Sequence, residues 1–336
     1  MAEATDYFPL FKYRPYHLLV TDKAPHVVVD GAAQEGTVLT LSHWPGSATP
    51  AAYRADLSAQ MAFKFIEDPE DLTCSLATNN HFDEDGLVSL FALTCPQVAL
   101  DLKDSLIDVA SAGDFGVFKD RDMARVSFVI NAWTQAETSP LNNQVFAKSY
   151  DEIASILYEE LLPRLPRIIS RIDSFYDYWK EEDDFLSATE AAYEAGKIEL
   201  EEVPERDLLI VRIESGLPPR GNLERAASFV SRVLHPLFLH NKSDRMRILV
   251  IKGRRMEFYY RYETWVEYVS RKLAPRICLS ALSAHLNNIE GRRGLWQFNG
   301  TDEIIARLSL KDGMDTTLTE GRFLEALYRF LDNAHE

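Results

Sequence analysis

The residues whose types and spacing could do chemistry stand in one short run, His81–Gly86, with the sequence HFDEDG. The run follows a predicted strand at 74–78 and precedes an apolar helical segment at 87–93. Gly86 permits a tight turn, so the side chains of His81, Asp83 and Asp85 could converge on one point. One imidazole and two carboxylates suit a divalent ion, with Mn²⁺ and Mg²⁺ ahead of zinc because no thiolate is present. The alternative is that Asp83 or Asp85 caps the helix without any metal.

The elements that must position this turn alternate between strands and helices. Strands are predicted at 26–29, 37–41 and 74–78, and helices at 50–66 and 87–93. This alternation is typical of an α/β fold, in which ligands bind at the carboxyl edge of a parallel sheet.

A change of pattern at 196–206, where a glycine and a proline bracket an acidic stretch, predicts a domain boundary. We expect a parallel-sheet metal-binding domain over 1–200 and a smaller, mixed α/β C-terminal domain over 201–336. In the second domain, the turn at 252–254 predicts a hairpin from 248–251 to 256–262. The remaining predicted elements are strands at 208–211 and 295–298, mainly helical stretches at 97–112 and 149–195, and helices at 221–234, 263–273, 277–289 and 319–333.

The string HFDEDGLVS at 81–89 resembles the first motif, HxDxDGxxS, of the DHH phosphoesterase superfamily. This resemblance implies a metal-dependent hydrolase of phosphoanhydrides, polyphosphates, oligonucleotides or cyclic dinucleotides. It also implies a parallel-sheet domain that carries the metals and a smaller C-terminal domain that holds the substrate. The strings LSHWPGSATP and TNNHFDEDG together resemble an uncharacterised bacterial family that is described only as a domain of unknown function.

The chain departs from the superfamily pattern, because the Asp-His-His triad is absent and no two histidines are adjacent. Ser42–Gly46, with the sequence SHWPG, ends a strand as that triad would, and only His43 in it could be a ligand. Asp30, at the end of the preceding strand, resembles the bridging aspartate of the second motif. If both correspond, the motifs are circularly permuted, in the order second, third, first. The alternative for His43 is an ordinary histidine in a rigid turn.

Asp114, between glycines that indicate a loop, resembles the superfamily's later aspartate. The alternative is a turn aspartate between two helices. The resemblance implies that Asp83 is the bridging ligand, and we expect Asp83 and His43 to act in catalysis. The full predicted ligand set, which is sufficient for one or two Mn²⁺ or Mg²⁺ ions, is Asp30, His43, His81, Asp83, Asp85 and Asp114.

The charge of the chain is distributed unevenly. Its formal net charge is −16, which argues against binding duplex nucleic acid, yet residues 204–300 hold 17 Lys and Arg against 9 Asp and Glu. This basic stretch either attracts the acidic half of the chain or binds a small anionic substrate. The predicted substrate-binding residues are Arg220, Arg292, Arg293 and His240. The alternative for Arg292 and Arg293 is a hairpin turn with exposed arginines.

No apolar run is long enough to span a bilayer, and the N-terminus lacks the features of a signal peptide. Three widely spaced cysteines fit a reducing compartment, so we expect a cytoplasmic protein with no membrane partner. The predicted function is a metal-dependent phosphohydrolase acting on a small phosphorylated metabolite or nucleotide. The alternative is a non-catalytic ligand-binding protein on a degenerate phosphoesterase scaffold.

Overall fold

The computed structural model describes residues 10–217, 228–311 and 314–333. These residues form two compact units, one drawn from Met1–Asp183 and Val266–Arg271, the other from Asp184–Trp265 and Lys272–Glu336. None of the helices in these residues combines the length and the apolar character that crossing a bilayer would require.

The first unit contains a four-stranded parallel sheet in the order β1-β4-β2-β3. Its middle strand β2 carries Val27, Val28 and Val29, all fully buried, as expected for a strand covered on both faces. The predicted parallel-sheet α/β class is therefore confirmed. The strands are β1 (Lys12–Tyr13), β2 (His26–Val29), β3 (Thr37–Leu41) and β4 (Leu76–Thr78).

Helices pack against this sheet and against one another. The helix predicted at 50–66 begins only at Ser58, because residues 50–53 form a turn in which Tyr53 N–H donates to the Pro50 carbonyl. The helical stretch predicted at 149–195 is divided into separate helices, since Pro163 and Pro166 have no backbone N–H to donate to helical hydrogen bonds. The helices are α1 (Tyr16–Asp22), α2 (Ser58–Glu67), α3 (Glu84–Thr94), α4 (Pro96–Asp101), α5 (Lys103–Asp114), α6 (Arg121–Trp133), α7 (Tyr150–Leu161) and α8 (Leu165–Ser170), with 3₁₀ turns at Asn143–Ala147 and Ile172–Phe175. The next helix, α9 (Tyr176–Glu194), begins in the first unit and continues into the second, whose residues start at Asp184.

The second unit contains a six-stranded mixed sheet in the order β5-β6-β7-β8-β10-β9. Only β6 and β7 pair in parallel, and the predicted hairpin of β7 and β8 is confirmed. One strand, β5, covers residue 200, where the domain boundary was predicted. The strands are β5 (Ile198–Val203), β6 (Leu208–Ile213), β7 (Arg247–Lys252), β8 (Arg255–Tyr260), β9 (Trp296–Phe298) and β10 (Arg307–Leu310).

After α9, the described residues of this unit contain four further helices. The helices predicted at 277–289 and 319–333 are confirmed as α12 and α13, whose apolar faces join the core around Phe258 and Trp296. The helix predicted at 221–234 lies partly outside the described residues, and its described part contains α10. The helices are α10 (Phe229–Val233), α11 (Pro236–Lys242), α12 (Ser280–Glu290) and α13 (Glu320–Asn333), with 3₁₀ turns at Pro204–Arg206 and Tyr262–Thr264.

The prediction of a helix at 263–273 is wrong. Beyond the short 3₁₀ turn, the chain over 266–271 runs without helix in the first unit. Its backbone donors bond to distant groups instead of forming a helical ladder. Glu267 N–H donates to the His43 carbonyl, and the N–H groups of Val269 and Ser270 donate to Asp56 Oδ1.

Candidate metal centre

Asp30 directly follows β2 and has a left-handed backbone conformation, with φ of 45°. Aspartate is one of the few residues that adopts this region readily. A Cβ atom on the next residue, Gly31, would lie 2.1 Å from Asn80 Oδ1, so any side chain there would displace the Asn80 amide. Ser58 Oγ donates to Asp30 Oδ1 at 2.8 Å and orients the carboxylate. The tight turn therefore holds this buried carboxylate at the carboxyl edge of the sheet.

His43 follows β3 at the same edge and is fully buried. Its Nδ1 lies 2.6 Å from the Asp56 carbonyl, so Nδ1 carries the proton and donates to it. The lone pair of Nε2 then faces the carboxylates, an arrangement typical of metal-binding histidines. Nε2 lies 3.4 Å from Asp30 Oδ1, 3.4 Å from Asp114 Oδ2 and 3.9 Å from Asp85 Oδ2.

The turn at His81–Gly86 leads from β4 into α3. Asp83 caps α3, since its Oδ1 accepts a hydrogen bond of 2.8 Å from Gly86 N–H. Its other oxygen, Oδ2, lies 2.6 Å from His81 Nε2, which is also 3.2 Å from Asp30 Oδ2. Asp83 therefore both caps α3 and belongs to the cluster. The Tyr158 hydroxyl donates to the His81 carbonyl and fixes the turn from outside.

Asp85 does not cap its own helix. Its two oxygens accept hydrogen bonds from the backbone N–H groups of Ala59 and Ser58, at 2.7 and 2.8 Å. The carboxylate therefore stabilises the N-terminus of α2, where the helix dipole favours negative charge. This contact joins the turn to the helix that also carries Ser58, the donor to Asp30.

Asp114 is the last residue of α5, so the expectation of a glycine-flanked loop is corrected. The glycine before it serves packing, because a Cβ atom on Gly113 would lie 2.6 Å from Glu84 Cβ. Glu84 is buried and accepts a hydrogen bond from Ser127 Oγ. This close approach of α5 to α3 brings the Asp114 carboxylate into the cluster.

The structure brings all six predicted ligands into two groups whose donor atoms lie within 4.8 Å of one another. Asp30 belongs to both groups, whereas Asp83 belongs to one, so the geometry favours Asp30 and not Asp83 as the shared ligand. The first group is Asp30, His43, Asp85 and Asp114, and the second is Asp30, His81 and Asp83.

The electrostatics of the cluster show an excess of buried negative charge. Burial, together with the charges of Asp83 and Asp85, raises the pKa of Asp30 from 3.8 to about 7. Burial and Asp83 raise the pKa of Asp85 to about 7, and burial with its acidic neighbours also raises the pKa of Asp114. Such crowding of carboxylates is unfavourable without a neutralising cation.

His81 supplies part of the neutralising charge. Burial lowers its pKa, but the charge of Asp83 and hydrogen bonds to Asp30 and Asp83 outweigh burial and raise the pKa to about 11. Burial raises the pKa of Asp83, and the opposing charge of His81 outweighs this and lowers it to about 2. Without a metal, a proton on His81 thus takes the place of a cation in the second group.

Two buried oxygen atoms indicate a place where a metal could bind. Asp114 Oδ2 accepts no hydrogen bond from any described residue, although it is shielded from solvent. Asp30 Oδ2 is also shielded, and the His81 Nε2 atom that it faces at 3.2 Å makes its shorter contact, 2.6 Å, with Asp83 Oδ2. Buried oxygens without a donor are destabilising unless something coordinates them. Imidazole nitrogens with carboxylate oxygens are a donor set that Mn²⁺ and Mg²⁺ accept.

The predicted substrate-binding residues lie in the second unit. Arg292 donates a hydrogen bond from Nη1 to the Asp315 carbonyl at 3.0 Å, and Arg293 is exposed. Both residues lie between the helix α12 and the strand β9, so their turn does not join two strands and is not a hairpin. His240, in α11, has its Nε2 3.2 Å from the Tyr259 hydroxyl. Arg220 lies outside the described residues.

Sequence reasoning missed residues that support the cluster. Ser58 orients Asp30, yet its sequence neighbourhood shows no sign of this because the two residues are 28 positions apart. The side-chain oxygen of Asn79 accepts a hydrogen bond from His81 N–H, and that of Asn80 accepts one from Ala32 N–H. Trp44 packs against His81 with ring centroids 4.9 Å apart, and its position beside His43 is the one signal that could have found it.

The fold and the site define a two-unit α/β protein with a buried cluster of aspartates and histidines at one sheet edge. A sequence model of a family of unknown function, DUF6687, matches residues 10–333, and the chain belongs to this family. Searches of curated proteins and of solved structures found no match.

Proposed function

We propose that this chain is a Mn²⁺- or Mg²⁺-dependent phosphohydrolase acting on a small phosphorylated metabolite or nucleotide. The observation that carries the proposal is the pair of donor groups that share Asp30. Two metal ions in such a site would hold phosphoryl oxygens and lower the pKa of a bound water. Asp30, His43, Asp85 and Asp114 would hold one ion, and Asp30, His81 and Asp83 the other.

The chain's own contacts prepare these side chains for such a role. The Asp56 carbonyl fixes the ring and tautomer of His43, and Ser58 fixes one oxygen of Asp30. Asp85 is held by two backbone N–H groups, which leaves a lone pair on each oxygen for a further partner. Preorganised ligands of this kind are typical of functional metal sites.

The resemblance of residues 81–89 to the first motif of the DHH phosphoesterases supports the same reaction class. In the permuted order expected from the sequence, Asp30 stands for the second motif, His43 for the third and Asp114 for the later aspartate. All four segments contribute to the cluster. The chain has no Asp-His-His triad, and the residue before His43 is Ser42. Ser42 Oγ accepts a hydrogen bond from Trp44 N–H.

Metal analysis tests the proposal. Protein stripped with chelator and dialysed against Mn²⁺ should retain about two ions per chain, and Asp114→Asn should retain fewer. The matched control is Asp108→Asn, a buried carboxylate on the same helix α5 that accepts hydrogen bonds from Lys119 and Asp120 N–H. Wild-type protein that stays metal-free at millimolar Mn²⁺ would overturn the proposal.

A phosphate-release assay then tests catalysis with nucleotides, pyrophosphate, polyphosphate and cyclic dinucleotides. Turnover that needs Mn²⁺ or Mg²⁺ and is lost in Asp114→Asn but kept in Asp108→Asn is the expected result. Metal binding without turnover on the whole panel would contradict the enzymatic proposal.

The second candidate function is a non-catalytic ligand-binding protein on the same scaffold. It is favoured by the structural roles of Asp83 and Asp85, which cap α3 and α2. This candidate predicts that a ligand from the same panel binds without phosphate release, so measured turnover would exclude it.

We also propose a cytoplasmic location. Its support is that Cys74, Cys95 and Cys278 are all free thiols. Cell fractionation followed by immunoblotting would test it, and enrichment in a secreted fraction would contradict it.

A further inference from the structure

Two neighbouring cavities in the second unit are lined by an unusual number of cations. Their volumes are about 390 and 100 Å³, and they share Phe229, Arg232 and Arg255 as lining residues. The cationic side chains of the two cavities are Arg232, Lys252, Arg254, Arg255, Arg307 and Lys311.

Two of these six cations form an ion pair with a carboxylate of the described residues. Arg255 Nε lies 3.0 Å from Asp315 Oδ1, and Arg307 Nε lies 3.0 Å from Glu257 Oε1. Arg232, Lys252, Arg254 and Lys311 form no ion pair with any carboxylate among the described residues, as far as 4.0 Å. The cavities therefore carry a surplus of four positive charges.

The backbone presents two of the cations side by side. Lys252 and Arg255 are directly opposite each other where β7 turns into β8, so their side chains share one face of the hairpin. Like charges in this position are destabilising. Burial and the neighbouring Arg255 lower the pKa of Lys252. An anion between the two side chains would remove this repulsion.

Arg232, on α10, is the central residue because it lines both cavities. Its Nε–H is shielded from solvent and donates no hydrogen bond to any described residue. A buried guanidinium N–H without an acceptor is costly, and phosphate oxygens are the acceptors whose geometry it matches best.

We propose that these neighbouring cavities together bind a small ligand that carries two linked phosphate groups, such as pyrophosphate or a nucleoside diphosphate. The surplus of positive charge, spread over two cavities that share three lining residues, matches the charge of a diphosphate better than that of a single phosphate. The Phe229 ring, which lines both spaces, offers an apolar contact for an attached base or sugar. This site is built from the second unit alone and does not depend on the metal centre.

Isothermal titration calorimetry in excess EDTA tests the site, because chelation removes any contribution from the metal centre. Pyrophosphate and ADP should bind wild-type protein more tightly than orthophosphate or sulfate, and affinity should fall as salt is raised. Arg232→Ala and Lys252→Ala should each weaken pyrophosphate binding roughly tenfold, the effect of losing one charge-assisted hydrogen bond.

The control variant is Arg329→Ala, which removes an exposed arginine of the same unit and should leave the affinity within about twofold. Circular dichroism must show that each variant is folded. Lys311→Gln replaces an exposed residue that lines the smaller cavity, and it should also weaken pyrophosphate binding. Absence of pyrophosphate binding to wild-type protein at millimolar concentration would overturn the proposal. Equal binding by wild type, Arg232→Ala and Lys252→Ala would overturn it as well, whatever the metal and turnover assays show.

Discussion

The substitution Asp30→Asn separates a metal centre from a merely structural cluster, because the two roles predict opposite effects on stability. Asparagine keeps an oxygen that can accept the Ser58 hydroxyl and tolerates the left-handed backbone at φ 45°. It removes only the charge and one candidate ligand atom. The variant therefore tests the shared carboxylate with little disturbance of the fold.

The magnitude follows from the pKa of Asp30, which is raised from 3.8 to about 7. Each unit corresponds to about 1.4 kcal/mol, so the ionised carboxylate lowers the unfolding free energy of the metal-free protein by about 4 kcal/mol above pH 7. Below pH 7 the folded state holds the proton, and the cost shrinks to about 2 kcal/mol at pH 5. Asp30→Asn should thus raise the melting temperature by roughly 10 °C at pH 8.

The assay is thermal unfolding in EDTA and in Mn²⁺, at pH 5 and pH 8. In EDTA the variant should be more stable than wild type, with the larger gap at pH 8. In Mn²⁺ the wild type should gain stability and the variant should gain little, since the ligand that both donor groups share loses its charge and one of its two oxygens. A variant that is less stable than wild type at pH 8 in EDTA, or equally stabilised by Mn²⁺, would refute the reasoning. Asp108→Asn, by contrast, should be destabilised in every condition and keep the wild-type response to Mn²⁺.

Three further predictions concern the same edge of the sheet. In urea titrations, metal-free wild type should lose stability as pH rises from about 4 to 7. The pKa of Asp85, like that of Asp30, is raised from 3.8 to about 7, so the folded state binds more protons than the unfolded state over this range. A rise in stability between these pH values would contradict the charge assignment. Gly86→Ala should lower the unfolding free energy by about 2 kcal/mol in the same assay, because its Cβ would lie 2.6 Å from the Tyr158 hydroxyl. An unchanged urea midpoint would contradict this close packing of the turn. Mn²⁺ should change the tryptophan fluorescence of the wild type, and most of this change should vanish in Trp44→Phe, because the Trp44 ring packs 4.9 Å from that of His81.

Local patterns predicted much of the fold. The valines of β2 and the apolar run of α3 are buried because a central parallel strand and a core helix face other elements on all sides. The β7–β8 hairpin could be predicted because its turn contains Gly253, which has φ of 60°. The helix expected at 263–273 failed, since the hydrogen-bonding partners of that segment come from Asp56 and His43, far away in the chain.

The chain by itself determined the residues of the cluster, because strand ends, a glycine turn and spaced acidic residues are local features of the sequence. Only the tertiary structure decided how they are used. Asp30, not Asp83, lies in both donor groups, and Asp85 caps a helix that begins 27 positions earlier. The physical reason is that parallel strands bring distant segments to one edge of the sheet. There, burial and charge depend on neighbours whose positions local spacing cannot specify.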